Sequence, residues 1–340
     1  MDKLLITGGM GFIGTNLAIS LKNKFNVHCV DNFYKNESLR NIGNLDKYKI
    51  INKKLDITNN DAVEKLIIEN RFDTVVHLGA QVSMIDSIED PQNDLNTNLI
   101  GTFNLLENIR KFSKQTKFIN ISSNKVYGDL SWDIIEETNS KYISKNYKYG
   151  YNESTPLQFS GPYGCSKGAA EQYVVDYNKT YNLRTTSLRL STIYGPNQFY
   201  TYNQGWVGWF IKNFIDQLNN DVIEISIHGD GKQVRDILYI DDFTKLIDTI
   251  IDKFDLVNGE IFNIGGSHNN ALSIINLIDI LKDKFSVNKE VKFTFKDWRQ
   301  ADQKVYISDI EKINKLVSWE PDVDLSNGLD LYIEWIKIQN

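Results

Sequence analysis

The stretch Lys3-Leu4-Leu5-Ile6-Thr7-Gly8-Gly9-Met10-Gly11-Phe12-Ile13-Gly14 sets a short apolar run against a cluster of glycines and then opens a segment of helical spacing. Glycines at this point make a tight turn, let backbone N–H groups reach a pyrophosphate and allow the helix to pack close, while the helix N-terminus attracts negative charge. Asp31 closes the next apolar run about 20 residues on, where a carboxylate accepts hydrogen bonds from a ribose 2′- and 3′-hydroxyl pair and repels a 2′-phosphate. The pattern predicts a site for NAD built on Gly8, Gly11, Gly14 and Asp31. A glycine turn that only packs a helix on a strand is the plainer alternative.

Further runs of the same kind follow at Asn26 to Asp31, Ile50 to Asp56, Asp73 to Leu78 and Lys117 to Ser122. Between them lie helical spacings at Phe12 to Lys22, Ala62 to Asn70 and Asn93 to Phe112. Strands alternating with helices give right-handed crossovers, so the expected fold is α/β, a doubly wound parallel sheet with a smaller C-terminal lobe. Asp56, Ile57, Leu78, Gly79 and Ala80 fall at the carboxyl ends of these strands, the edge where open sheets hold ligands. A structural turn role is the alternative for each.

After Ser122 comes a Tyr, Asn and Lys-rich excursion, Asp129 to Ser160, too long for a plain connection and expected to face the substrate. A helix is expected from about Tyr163 to Tyr181 and a strand from Arg184 to Leu190. Helix Val207 to Leu218, strand Val222 to Ile227, helix Asp242 to Phe254, strand Ile261 to Ile264 and helix Ser273 to Phe285 complete the reading. The expected division is a nucleotide-binding domain over 1–190, which also receives roughly 222–265, interleaved with a substrate lobe over 191–340. With only five prolines, the lobes are not strung on a rigid linker.

Composition bounds the function. The chain has 340 residues, 41% hydrophobic and 24% charged, and a formal charge of −6 from 38 basic and 44 acidic residues of interspersed sign. No basic footprint for nucleic acid and no apolar run long enough to cross a membrane is present. A strand that begins at Lys3 leaves no room ahead of it for a signal peptide, and the two cysteines, Cys29 and Cys165, make no disulfide framework; a reducing cytoplasm is expected. His28, His77, His228 and His268 lack paired spacing, so no metal site is expected.

The chemistry is expected at Tyr163 and Lys167, four apart on one helix face. Of the 17 tyrosines only Tyr163 has a lysine four residues later. Lys167 and a positive nicotinamide would together draw the phenol from its reference pKa of about 10 toward 7, roughly 4 kcal/mol of differential stabilisation. Ser123, just past the fifth strand, can share the same substrate oxygen; a turn cap is its alternative role. The set describes a general base, its tuner and a hydrogen-bonding partner beside a hydride acceptor.

These residues resemble those of the extended short-chain dehydrogenase/reductases that act on nucleotide sugars, over almost the whole chain. The runs Ser123-Asn124-Lys125-Val126-Tyr127-Gly128-Asp129-Leu130, Gly161-Pro162-Tyr163-Gly164-Cys165-Ser166-Lys167-Gly168-Ala169-Ala170 and Gln204-Gly205-Trp206-Val207-Gly208-Trp209-Phe210 are most similar to members that invert C2 of a CDP-linked deoxyhexose. The resemblance implies tightly held NAD, a CDP-hexose substrate, no net redox change and a homo-oligomer, dimer or tetramer, serving lipopolysaccharide O-antigen synthesis. It extends the cofactor set to Phe12, Ile13, Asn32, Gln81, Asn98 and Ser122, with Tyr163 and Lys167. It places Ser83, Ser123, Asn124 and Gln204 at the substrate, with Arg235 of Gly229-Asp230-Gly231-Lys232-Gln233-Val234-Arg235-Asp236, and Arg299 with Asp302, near the diphosphate; a surface ion pair is the alternative for either arginine.

Two positions depart from the pattern: Ser123 stands for an expected Thr, and Asn197 stands where an Arg is common. Trp206, Trp209 and Phe210 border the nucleotide or belong to the core. The absence of carboxylates at Asn124 and Lys125 argues against a 4,6-dehydratase and against decarboxylation. A C4 epimerase of a nucleoside-diphosphate hexose, and a non-catalytic NAD-binding sensor or assembly protein, remain the alternatives.

Overall fold

The computed structural model describes residues 1–201, 204–219, 224–287, 291–299 and 301–339. Strands β1 (Lys3–Thr7), β2 (Asn26–Asp31), β3 (Ile51–Lys54), β4 (Thr74–His77) and β5 (Lys117–Ser123) lie in one sheet with Thr185–Leu190 and Ile261–Ile264. The spatial order is β3, β2, β1, β4, β5, Thr185–Leu190, Ile261–Ile264, and every pairing is parallel. The expected doubly wound α/β fold is therefore present.

Alternation along β1 shows why both faces must be covered. Leu4 and Ile6 enter a core shared with Leu17 and Leu21 of helix α1 (Phe12–Leu21) and with Phe243 and Leu246 of helix Ile240–Asp252. Leu5 points the other way, onto Val63, Leu66 and Leu105. Each is fully buried or nearly so, and burying one such side chain contributes about 1.5–3 kcal/mol.

The sequence expectation of one helix over Asn93 to Phe112 is corrected. Pro91–Leu95 is a short helix, Asn96–Ile100 forms a π-helical turn, and Gly101–Phe112 carries the regular helix on. The π turn adds one residue to the coil and turns buried Asn98 toward the sheet edge.

The second lobe is built on a small sheet in which Val234–Tyr239 pairs with Thr192–Tyr194, Ala271–Ser273 and Val305–Tyr306. Of the stretch 222–265, Ile261–Ile264 adds to the large sheet, whereas Ile225–His228 pairs with Phe293–Lys296 apart from it. Val222, where that strand was expected to begin, lies outside the described residues. Two helices not anticipated from sequence, Glu311–Val317 and Leu325–Gln339, close the chain.

The excursion Asp129 to Ser160 also differs from expectation. It holds a hairpin, Ile135–Glu137 with Tyr142–Ser144, and none of its residues lines either of the two cavities described below. Tyr147 stacks on Tyr151 at 4.7 Å between ring centroids, Tyr151 on Tyr306 at 5.8 Å, and Tyr306 on Tyr127 at 5.9 Å. The excursion, expected from its length to face the substrate, thus has its tyrosines stacked on Tyr306 of the second lobe.

Asp236, fully buried on the strand Val234–Tyr239 of the small sheet, accepts from the Ser191 hydroxyl at 2.5 Å, and burial pushes its carboxyl up to about 6. Between about pH 4 and 6 the folded chain then holds a proton that the unfolded chain has released, so this group's contribution to stability falls as pH rises through that window. Urea unfolding should show the protein losing up to about 3 kcal/mol relative to Asp236→Asn between pH 4 and 7, given 1.36 kcal/mol per pKa unit; parallel pH profiles for the two would refute it.

Candidate active site

The carboxyl ends of β1, β4 and β5 set three loops side by side. Gly8 has φ +65°, and a Cβ there would lie 2.8 Å from Gly79 N, so the first and fourth loops touch backbone to backbone. A Cβ on Gly14 would stand 2.4 Å from Gly8 O. Gly11 begins α1 with no side-chain cap, which leaves the first-turn amides facing a cleft of about 190 Å³. Gly8, Gly11, Phe12, Ile13, Gly14, Asp31, Asn32, Ile57, Leu78, Gly79, Ala80 and Gln81 all line it.

Asp31 accepts from Phe33 N at 2.9 Å and from Met10 N at 3.3 Å. Burial nevertheless dominates and raises its carboxyl above the usual range. Asp56 stands back from the cleft, accepting from Asn32 Nδ2 at 3.1 Å and from the Thr58 amide and hydroxyl. Burial opposes its ionisation, but these hydrogen bonds outweigh it and hold it low. Asn98 is likewise not a wall residue: it accepts from Gln81 N at 2.8 Å and donates to the Ser166 hydroxyl at 3.0 Å, tying the cleft wall to the helix Gly161–Tyr181.

A larger cavity of about 530 Å³ adjoins the cleft, and Phe12, Ile13, Leu78, Ala80, Val82 and Gln204 line both. It brings together Ser122, Ser123, Asn124, Tyr163 and Lys167 from the first lobe with Arg235, Arg299 and Asp302 from the second. Trp206, Trp209 and Phe210 line it too, while packing against the main core. Ser83 lines neither cavity; its hydroxyl caps the helix Met84–Glu89 by accepting from Asp86 N. Asn197 is also outside, donating to Asn16 Oδ1 and accepting from Asn44 Nδ2.

Tyr163 sits in the first turn of its helix, behind Pro162. Burial pushes the phenol up to about 12; hydrogen bonding with Ser123 opposes the shift and Asp94 adds to it. The expected lowering by Lys167 does not act on it here. The Lys167 ammonium donates to the carbonyl of Ile121, and burial brings it down to about 8 against the pull of Asp94 and Glu171. Beneath it His77, held between Thr7 at 2.7 Å and Thr102 at 2.9 Å, is pushed down to about 3 by burial and by Lys167.

Three residues the sequence reading did not assign complete the site. Lys125 and Arg235 both reach Asp302 Oδ1, at 3.4 Å and 2.6 Å. Burial opposes the ionisation of Asp302, yet the two cations hold its carboxyl below the usual range. Gln303, fully buried, accepts from Asn124 Nδ2 at 3.3 Å and donates to Gly128 O at 2.7 Å, so the second lobe grips the turn that carries Ser123. Asp94 is the third, placed to act on both Tyr163 and Lys167.

The sequence profile described as GDP-mannose 4,6 dehydratase matches residues 5–331. The chain belongs to that family of extended short-chain dehydrogenase/reductases. A CDP-paratose 2-epimerase of Salmonella typhi is 39% identical over 337 residues, 98% of each chain. The solved UDP-glucose 4-epimerase of Thermotoga maritima, with UDP-glucose, is 30% identical with a TM-score of 0.82, covering 99% of each chain. The UDP-glucuronic acid 4-epimerase of Bacillus cereus, with UDP-glucuronic acid and NAD, is 28% identical with a TM-score of 0.81, covering 99% of this chain and all of that one. No helix among the described residues is long and apolar enough to cross a membrane.

Within this extended dehydrogenase/reductase chain, the Gln303 amide is one of the ties between the lobes, holding the turn after β5. Gln303→Leu leaves the Gly128 carbonyl buried without its donor, which should cost about 1–3 kcal/mol in denaturant unfolding. An unchanged unfolding midpoint would show that the turn holds itself.

Proposed function

We propose that this protein is an NAD-dependent nucleotide-sugar epimerase, an isomerase that inverts C2 of a CDP-hexose in the manner of CDP-paratose to CDP-tyvelose. The observation that carries the reading is the composition of the larger cavity. It joins Ser123, Tyr163 and Lys167 to Arg235 and Arg299, and Asp302 is the only carboxylate among its described lining residues. Elimination of water needs a further acid and base beside the sugar, and Asp302 is already taken by Arg235 and Lys125. Redox inversion needs none. The choice of C2 and of cytidine rests on the likeness to the Salmonella enzyme.

The cleft suits NAD. Only glycine leaves room between the Gly8 turn and Gly79, the uncapped α1 terminus favours a pyrophosphate, and the Asp31 carboxylate favours free ribose hydroxyls over a 2′-phosphate. NAD, when bound, takes up the hydrogen of the carbon being inverted and returns it. Tyr163 Oη accepts the proton of the sugar C2 hydroxyl, and Ser123 Oγ hydrogen-bonds the oxygen as it becomes a carbonyl. Lys167 supplies positive charge behind the phenol. Once C2 is planar, the sugar presents its other face and Tyr163 returns the proton to the oxygen it took it from. Arg235 and Arg299 hold the diphosphate throughout, a task suited to guanidinium forks. By resemblance alone, the enzyme is assigned to the cytoplasm as a homo-oligomer supplying O-antigen synthesis.

The test is NMR of the purified protein, without added cofactor, incubated with CDP-paratose, CDP-glucose or UDP-glucose. A C2 epimer from a CDP-sugar is expected. A C4 epimer from UDP-glucose would establish the 4-epimerase reading instead, and no new sugar in any tube would leave a silent dinucleotide-binding protein. Tyr163→Phe should lower turnover by about 10²- to 10⁴-fold, the usual worth of a positioned acid–base group; near-normal turnover would remove Tyr163 from the chemistry.

A further inference from the structure

Lys125 stands two residues after Ser123, on the short turn Asn124–Tyr127 that leaves the catalytic strand, and its side chain is only 15% exposed. It lines the larger cavity at the level of Arg235, Arg299 and Asp302. Arg235 approaches from a strand of the second lobe, whereas Lys125 approaches from the side of the reacting groups.

The two cations share one carboxylate oxygen unequally. Arg235 Nη2 is 2.6 Å from Asp302 Oδ1 and Lys125 Nζ is 3.4 Å from it. The same oxygen accepts from Gln303 N at 3.1 Å, so Asp302 keeps two donors if Lys125 departs. One carboxylate cannot neutralise two cations, and the field of Arg299 also reaches Lys125. A buried charge of this kind calls for an anion.

Resting on the nucleotide-sugar reading above, we propose that Lys125 is a substrate-binding residue that exchanges Asp302 for the sugar-side phosphate of the nucleotide sugar. That phosphate is then held from both lobes, and the sugar ring turns about the bond beyond it. A lysine suits the task because its ammonium is a compact charge on a flexible stem that can follow a phosphate, where a guanidinium would fix one plane. Burial brings the Lys125 ammonium down to about 8, with Asp302 raising it and Arg235 and Arg299 lowering it further. A phosphate beside it reverses that penalty, so binding the substrate also secures the proton on Lys125.

The test compares CDP with CMP as probes, titrated into the purified protein and its Lys125→Met and Lys125→Arg variants. CDP carries the second phosphate and CMP lacks it. Lys125→Met is expected to weaken CDP about tenfold or more, to leave CMP within about threefold, and to raise KM for the sugar nucleotide while kcat changes little. Lys125→Arg, which keeps the charge, should recover much of the CDP affinity. Retained CMP binding in the Met variant also certifies that it folds. Equal losses for CDP and CMP, or no loss for either, would overturn the assignment and leave Lys125 as a structural partner of Asp302. If the unmodified protein binds neither nucleotide, the nucleotide-sugar reading itself is wrong, and this inference goes with it.

Discussion

The structure depends on one close approach, backbone against backbone, between the loop after β1 and the loop after β4. At Gly8 a methyl group would meet Gly79 N at 2.8 Å and the Leu78 carbonyl carbon at 2.9 Å. With no side chain between the two loops, the edge of the sheet is a shallow floor made of main chain. α1 can then start directly over it, and the carboxyl end of β5, with Ser122 and Ser123, comes level with the same floor. The cleft for a dinucleotide and the cavity for a sugar therefore share a wall.

Burial of the Tyr163 phenol makes the protein alone a poor base. The Tyr163 phenol rests near 12, about five units above neutrality, and closing that gap requires roughly 7 kcal/mol at 1.36 kcal/mol per unit. One unit charge about 4 Å away supplies about 4 kcal/mol at an effective dielectric of 20. Lys167, even turned from the Ile121 carbonyl toward the phenol, thus falls short by itself. A second positive charge at a similar distance, such as a bound oxidised pyridinium would carry, would bring the total to what is needed. On the epimerase reading proposed above, ionisation of Tyr163 would thus be tied to an oxidised cofactor, and the base would be active only when there is an acceptor for the hydrogen.

How much of this the sequence discloses follows from the range of each interaction. The parallel sheet is legible because β1, β4 and β5 are short, buried apolar runs, and the glycine turn because its residues are contiguous. Tyr163 and Lys167 are legible because a helix brings positions four apart together. Lys125 and Gln303 are not, and Asp302 enters only through the family resemblance: the Asn124 to Gln303 bond spans 179 positions, and single polar residues carry no period. The π turn at Asn96–Ile100 is hidden for a related reason, since one added residue in a helix leaves the apolar spacing on either side intact. Leu329, Tyr332, Ile333 and Ile336 of the last helix do carry the helical spacing, a signal that would have located it.

The distribution of polar groups in the larger cavity bears on how a ring could turn inside it. Three of its cations cluster, Arg235 and Lys125 meeting at Asp302 with Arg299 close enough to act on Lys125. The lining also carries the aliphatic side chains Val82, Met84, Ile85, Ile88 and Ile193, beside polar groups that include Thr192, Gln198 and Gln204. A sugar gripped through each of its hydroxyls would have to break several hydrogen bonds at about 1 kcal/mol apiece before it could present a second face. An apolar wall asks only for shape, so reorientation there is limited by space instead of by lost polar contacts. Inversion through a planar carbon needs one end of the substrate fixed and the other free, and the cation cluster at Asp302 and the aliphatic side chains of the lining offer a surface suited to each.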